Sequence, residues 1–254
     1  MKKKQYTIIA NWKMNLTLKE SVFLIKKYKQ LKKRKSLEVV VAPAYPALFS
    51  VKKILKNSGL KLAAQNAAGE ISGALSGEVS PAMLKEVGCT YVILGHSERK
   101  KYFNETLEMI SKKVAVALGE GLIPIICVGE TAEERTEGLA ETVIESRVKE
   151  SLAEVEDLSG KQIIISYEPF WTISSSHGRI ATDQEVNDAC QVIRQALIDL
   201  YGLESVQESV KIIYGGTVNA ETISDFLNLD IIEGFLVGSA SLKIDSFKEL
   251  LQSF

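Results

Sequence analysis

Leu122-Ile123-Pro124-Ile125-Ile126-Cys127-Val128-Gly129, with Thr131-Ala132-Glu133-Glu134 starting one residue later, reads as a strand that runs straight into a helix. The apolar run does not alternate with polar residues, as expected of a strand covered on both faces in a parallel sheet. Thr131-x-x-Glu134 is a capping box, in which each side chain satisfies a backbone N–H that the first helical turn leaves unpaired. The same unit recurs along the chain. Short runs rich in β-branched residues lie at Thr7–Ala10, Leu37–Ala42, Leu60–Gln65, Thr90–Gly95, Gln162–Tyr167, Val210–Tyr214 and Gly234–Gly238, making eight with Leu122–Gly129. Helical signals fall between them. Thr17-x-x-Glu20 and Thr182-x-x-Glu185 repeat the capping box, Ser80-Pro81 pairs a cap residue with a proline suited to the first turn, and Leu18, Val22 and Ile25 are spaced as one helical face.

Eight strand-helix units with no linker, low-complexity stretch or break in composition predict one domain over residues 1–254, an α/β fold closed as a (β/α)8 barrel. A doubly wound open sheet is the alternative. At 254 residues the chain is also long enough for two small domains, so organisation and not length decides. With 46% hydrophobic and 25% charged residues it can bury a large core. No run approaches a membrane span, and Met1-Lys2-Lys3-Lys4 leads into a strand and not into a signal-peptide core, so a cytoplasmic protein with no membrane partner is expected. Cys89, Cys127 and Cys190 are far apart and have no histidines in ligand spacing, so neither disulfide nor zinc is indicated. Charge is unevenly spread, with eight Lys/Arg and one acid over Lys19–Lys35 but ten acids and three bases over Glu130–Asp157. Both runs are read as solvated helix faces, and no nucleic-acid partner is expected.

In such a barrel the chemistry sits in the loops just after the strands. Asn11-Trp12-Lys13-Met14-Asn15 brings an amide and an ammonium there, and Gly95-His96-Ser97-Glu98-Arg99 adds an imidazole, an acid and a guanidinium. Glu168, in Tyr167-Glu168-Pro169-Phe170-Trp171, stands beside a proline and two aromatics, where partial exclusion of water favours a proton acceptor. A structural ion pair with a lysine is the plainer alternative. Thr172–Ala181 is long and Ser-rich for a barrel connection, and so resembles a lid. Tyr214-Gly215-Gly216-Thr217 and Val237-Gly238-Ser239-Ala240 end adjacent strands in small residues that let backbone N–H groups converge on a phosphate.

Asn11–Asn15, Gly77-Glu78-Val79-Ser80, Ile93–Arg99, Cys127-Val128-Gly129-Glu130, Tyr167-Glu168-Pro169 and Tyr214-Gly215-Gly216 together resemble the triosephosphate isomerase family, in order and along essentially the whole chain. The resemblance implies a TIM barrel that interconverts dihydroxyacetone phosphate and glyceraldehyde 3-phosphate with no cofactor and no metal. It implies Glu168 as the base, His96 as a neutral electrophile at a helix N-terminus, Lys13 and Asn11 as stabilisers of the enediolate, and Glu98 as the residue that orients them. It further implies phosphate contacts from the backbone N–H groups of Ser174, Thr217, Gly238 and Ser239. Gln65–Ser80 resembles the protruding loop of a homodimer, with Ser76 approaching Asn11 of the partner subunit.

The chain departs from the family pattern in three places. The lid is longer and has Ser174 where glycine is usual; Ser239 replaces a glycine; Lys100 replaces a common arginine. A serine keeps its N–H, so phosphate binding survives unless the site needs a positive φ. His177 is expected to be a solvent-facing lid residue. Two other readings are a phosphate-using barrel isomerase with a larger substrate and a non-catalytic scaffold. The intact Asn11, Lys13, His96 and Glu168 argue against the scaffold, and the Tyr167-Glu168-Pro169 and His96-Ser97-Glu98 stretches against the larger substrate.

Overall fold

A computed structural model of the protein describes residues 4–31, 34–172 and 179–254. The strands are β1 (Tyr6–Asn11), β2 (Leu37–Ala42), β3 (Lys61–Ala64), β4 (Tyr91–Leu94), β5 (Ile123–Val128), β6 (Ile163–Tyr167), β7 (Val210–Tyr214) and β8 (Gly234–Val237). They pair in sequence order, all parallel, and Thr7 and Ala10 of β1 lie opposite Gly234 and Val237 of β8, which closes the barrel. The doubly wound alternative is thereby removed.

Alternation along each strand divides the core into two layers. Ile9, Val40, Ala63, Ile93, Ile125, Ile164, Ile213 and Leu236 pack inside the barrel, while Ile8, Val39, Leu62, Val92 and Ile126 face the surrounding helices. The interior is thus filled with side chains and is no open pore. The same alternation aims the functional residues. Continuing inward from Ile9 gives Asn11, and continuing from Ile164 through Ser166 gives Glu168. The sequence places the first strand at Thr7–Ala10, whereas β1 extends through Asn11, so that amide is carried on rigid sheet.

All three capping boxes form, at Thr17, Thr131 and Thr182, and Ser80 caps the helix Pro81–Val87 by accepting from the Met83 N–H. The first helix (Leu18–Tyr28) buries only Ile25 of the stripe its spacing suggests. Leu18 is exposed and Val22 half-buried, and the buried positions are Ser21, Leu24, Ile25 and Tyr28. Aromatic packing decides this: the Tyr28 ring stacks on Phe247 at 4.5 Å and meets Trp12 edge-on at 5.7 Å, which turns the helix toward that pair.

Candidate active site

Helix Ser97–Phe103 begins at the mouth with His96 as its N-cap. The Glu98 N–H donates to His96 Nδ1 at 3.2 Å. An imidazole that accepts at Nδ1 has Nε2 left as its donor. That Nε2 lies 3.9 Å from Oε1 of Glu168. Glu168 is 0% exposed, and neither of its carboxylate oxygens has a hydrogen-bond partner among the described residues. A buried carboxylate left unpaired is costly, and such groups call for a functional explanation.

Two glycines make room for it. A Cβ on Gly215 would lie 2.7 Å from Glu168 Cγ, and one on Gly129 would overlap the Glu168 carbonyl. Behind it lies a buried polar knot that the sequence does not disclose. Glu130, fully buried, accepts from Trp171 Nε1 at 2.9 Å, from the Tyr167 hydroxyl at 3.2 Å and from Arg135 Nε at 2.8 Å. The knot ties the segment that carries Glu168 to the end of β5. Its one sequence signal is Glu130 standing immediately ahead of the Thr131 capping box.

Lys13 has φ 51°, a left-handed conformation that is uncommon for a residue with a side chain. Two contacts hold it. Its N–H donates to Asn11 Oδ1 at 3.0 Å, and Gln65 Nε2 donates to the Lys13 carbonyl at 2.9 Å and to that of Ala42 at 2.8 Å. Strain of this kind persists where surrounding contacts over-determine it. The Lys13 Nζ reaches Glu98 Oε1 at 2.6 Å, so Glu98 joins the ammonium to the histidine through one residue. Gln65 is the residue that sequence reasoning missed, since it reads there as a strand end and the start of a loop and not as a support for Lys13.

Thr217, Gly238 and Ser239 line the same cavity as Asn11, Lys13, His96 and Glu168. The Thr217 hydroxyl donates to the Thr172 carbonyl. Among the described residues no acceptor takes the backbone N–H of Thr217 or Ser239. Ser239 is not at positive φ, so the substitution of glycine there introduces no backbone strain. Ser174 and His177 lie outside the described residues. No group of three or more His, Cys, Asp or Glu among the described residues could hold a metal ion, and none of their helices is long and apolar enough to cross a membrane.

A barrel enzyme whose mouth sets a buried carboxylate and an imidazole against each other, beside a lysine and an amide, is the class that this geometry defines. Residues 6–254 match the family model described as triosephosphate isomerase. The chain is 44% identical to a triosephosphate isomerase of Dictyoglomus thermophilum, over 97% of this chain and 98% of that one. It is 45% identical to one from Clostridium botulinum, over 96% and 97%, and 44% identical to one from Carboxydothermus hydrogenoformans, over 96% and 97%. The chain belongs to the triosephosphate isomerase family and is an intramolecular aldose-ketose isomerase.

Proposed function

We propose that the enzyme interconverts dihydroxyacetone phosphate and D-glyceraldehyde 3-phosphate through an enediolate, with Glu168 moving the carbon-bound proton. The observation that carries this reading is the fully buried Glu168 carboxylate, without a hydrogen bond among the described residues and 3.9 Å from His96 Nε2. The carboxylate takes a proton from the carbon beside the carbonyl and returns it to the neighbouring carbon. His96 Nε2–H donates to the carbonyl oxygen as charge develops, then passes a proton between the two enediolate oxygens. Lys13 and Asn11 stabilise that charge, and water-poor surroundings strengthen every such contact. Glu98 holds the Lys13 ammonium and the His96 ring in register.

The phosphate sits on the backbone N–H groups of Thr217, Gly238 and Ser239, with Ser174 completing the set from the lid. Unpaired N–H groups on Thr217 and Ser239 support this placement. A homodimer is the assembly the chain favours. Residues 70–78 are exposed apart from any strand or helix, and Met14 (94% exposed), Ile71, Leu75, Met83 and Phe103 leave apolar side chains uncovered. We place the enzyme in the cytoplasm, on its membership of the triosephosphate isomerase family.

The test is a coupled assay of glyceraldehyde 3-phosphate isomerisation with the wild type and Glu168→Asp. The shorter side chain withdraws the carboxylate from the carbon acid, so kcat falls by about two orders of magnitude or more while KM changes by a few-fold at most. A wild-type protein without isomerase activity would overturn the proposed reaction, and a fully active Glu168→Asp would overturn the role of the base.

A further inference from the structure

Lys100 lies one turn beyond His96 on helix Ser97–Phe103 and does not point freely into solvent. Its Nζ donates to the Cys127 carbonyl at 2.9 Å and sits 5.3 Å from the centre of the Phe170 ring. A second cation reaches the same ring from another helix: Arg147, on Ala140–Ser151, lies 5.4 Å from the Phe170 centroid. Arg147 also donates to the Gly129 carbonyl at 2.5 Å and is fixed by a two-pronged pair with Glu134 at 2.7 and 2.9 Å. Both cations therefore hold a backbone carbonyl at or just past the end of β5 and cover the aromatic ring two residues after Glu168. The N–H of Phe170 is held in turn by the Glu130 carbonyl at 3.0 Å.

These contacts bear on the base. Gly129, whose carbonyl Arg147 takes, lies against the Glu168 carbonyl, which a Cβ added there would overlap. Lys100 belongs to the helix whose first residue is capped by His96, so one side chain links the electrophile's helix to the segment of the base. We propose that Lys100 is a positioning residue for Glu168, which together with Arg147 clamps Phe170 and the end of β5, and that the clamp loosens when Lys100 gives up its proton. The proposal rests on Glu168 being the base.

The loss of that proton falls within reach of assay. Burial lowers the Lys100 ammonium to about 8, with the Cys127 sulfur and the Glu168 and Glu105 carboxylates opposing the shift and Arg147 adding to it. An arginine in its place would remain charged throughout.

The experiment measures kcat and KM of the full chain from about pH 6 to 10 for wild type, Lys100→Arg and Lys100→Met, with dimer mass and circular dichroism as checks on folding. At about pH 7 Lys100→Met lowers kcat about tenfold with KM within about twofold, because a cation held against an aromatic face is lost and the base drifts by a fraction of an ångström. Lys100→Arg keeps kcat within about threefold. The wild-type kcat declines with a midpoint near 8, a limb that Lys100→Arg lacks. An unchanged kcat in Lys100→Met, or the same alkaline limb in wild type and Lys100→Arg, overturns the proposal. If Lys100→Met does not fold, the Lys100→Arg profile decides alone. Failure of the underlying reading is seen separately, as a Glu168→Asp enzyme with undiminished turnover.

Discussion

Gly215→Ala adds a single carbon beside the base and tests how finely the barrel places it. On the existing backbone the new Cβ would lie 2.7 Å from Glu168 Cγ, 3.2 Å from its Oε1 and 2.5 Å from Ser166 Oγ. Non-bonded carbons settle at about 3.5–4.0 Å, so the Glu168 side chain must retreat by about 1 Å. It cannot easily swing elsewhere, because its backbone is pinned against Gly129 and its N–H donates to the Val128 carbonyl at 2.7 Å. Gly215 is not at positive φ, so alanine brings no backbone strain and the effect is steric. A misplacement of about 1 Å at a reacting group costs on the order of a hundredfold in rate, or about 2.7 kcal/mol in the barrier. The coupled assay should show that loss in kcat, with KM nearly unchanged because the N–H groups of Thr217 and Ser239, proposed above to hold the phosphate, keep their places. Thermal unfolding of the same sample separates misplacement from global damage. A folded variant with kcat within about threefold of wild type would refute the claim that Gly215 sets the position of the base.

Two further expectations concern stability and assembly. Glu185 accepts from Arg179 and from the Thr182 N–H, and these partners, chiefly Arg179, hold its carboxyl down at about 2, against an ordinary 4.5. A depressed carboxyl stabilises the fold above its unfolded value and loses that contribution as pH falls from about 4.5 to 2. Arg179 is 57% exposed, so solvent screening reduces the effect to about 1 kcal/mol. Urea unfolding of Glu185→Gln should therefore show that deficit near neutral pH and none near the acid end of the window; an equal deficit at both would contradict the assignment. For assembly, light scattering at assay concentration should give the mass of two subunits, and Met14→Glu with Leu75→Glu should shift it toward one. A wild-type mass of one subunit would rule out the homodimer.

The barrel was legible because its signal is local and repeated. Each βα unit announces itself by a continuous apolar run and a cap, and the capping boxes at Thr17, Thr131 and Thr182 all form. The mouth residues were legible for the same reason: Asn11, His96 and Glu168 lie at or just past strand ends, where alternation along a short strand fixes the direction of a side chain. The helix Leu18–Tyr28 shows the limit. Its spacing points to Leu18, Val22 and Ile25, of which only Ile25 is buried, because the face turned inward follows Tyr28 onto Phe247, a partner more than two hundred residues away that no local pattern names.

Sequence alone, then, determined the architecture and pointed to the residues that gather at the mouth, since both depend on neighbours within a few residues or on motifs kept whole. Tertiary structure decided what makes those groups competent. It brought His96 Nε2 to 3.9 Å from Glu168, held Lys13 in its left-handed backbone through Gln65, and left the base without a hydrogen-bond partner among the described residues behind the Glu130 knot. It also set Lys100 and Arg147 on one aromatic ring. Such contacts join residues from different strands and helices, and their distances follow from barrel closure, which no single segment encodes.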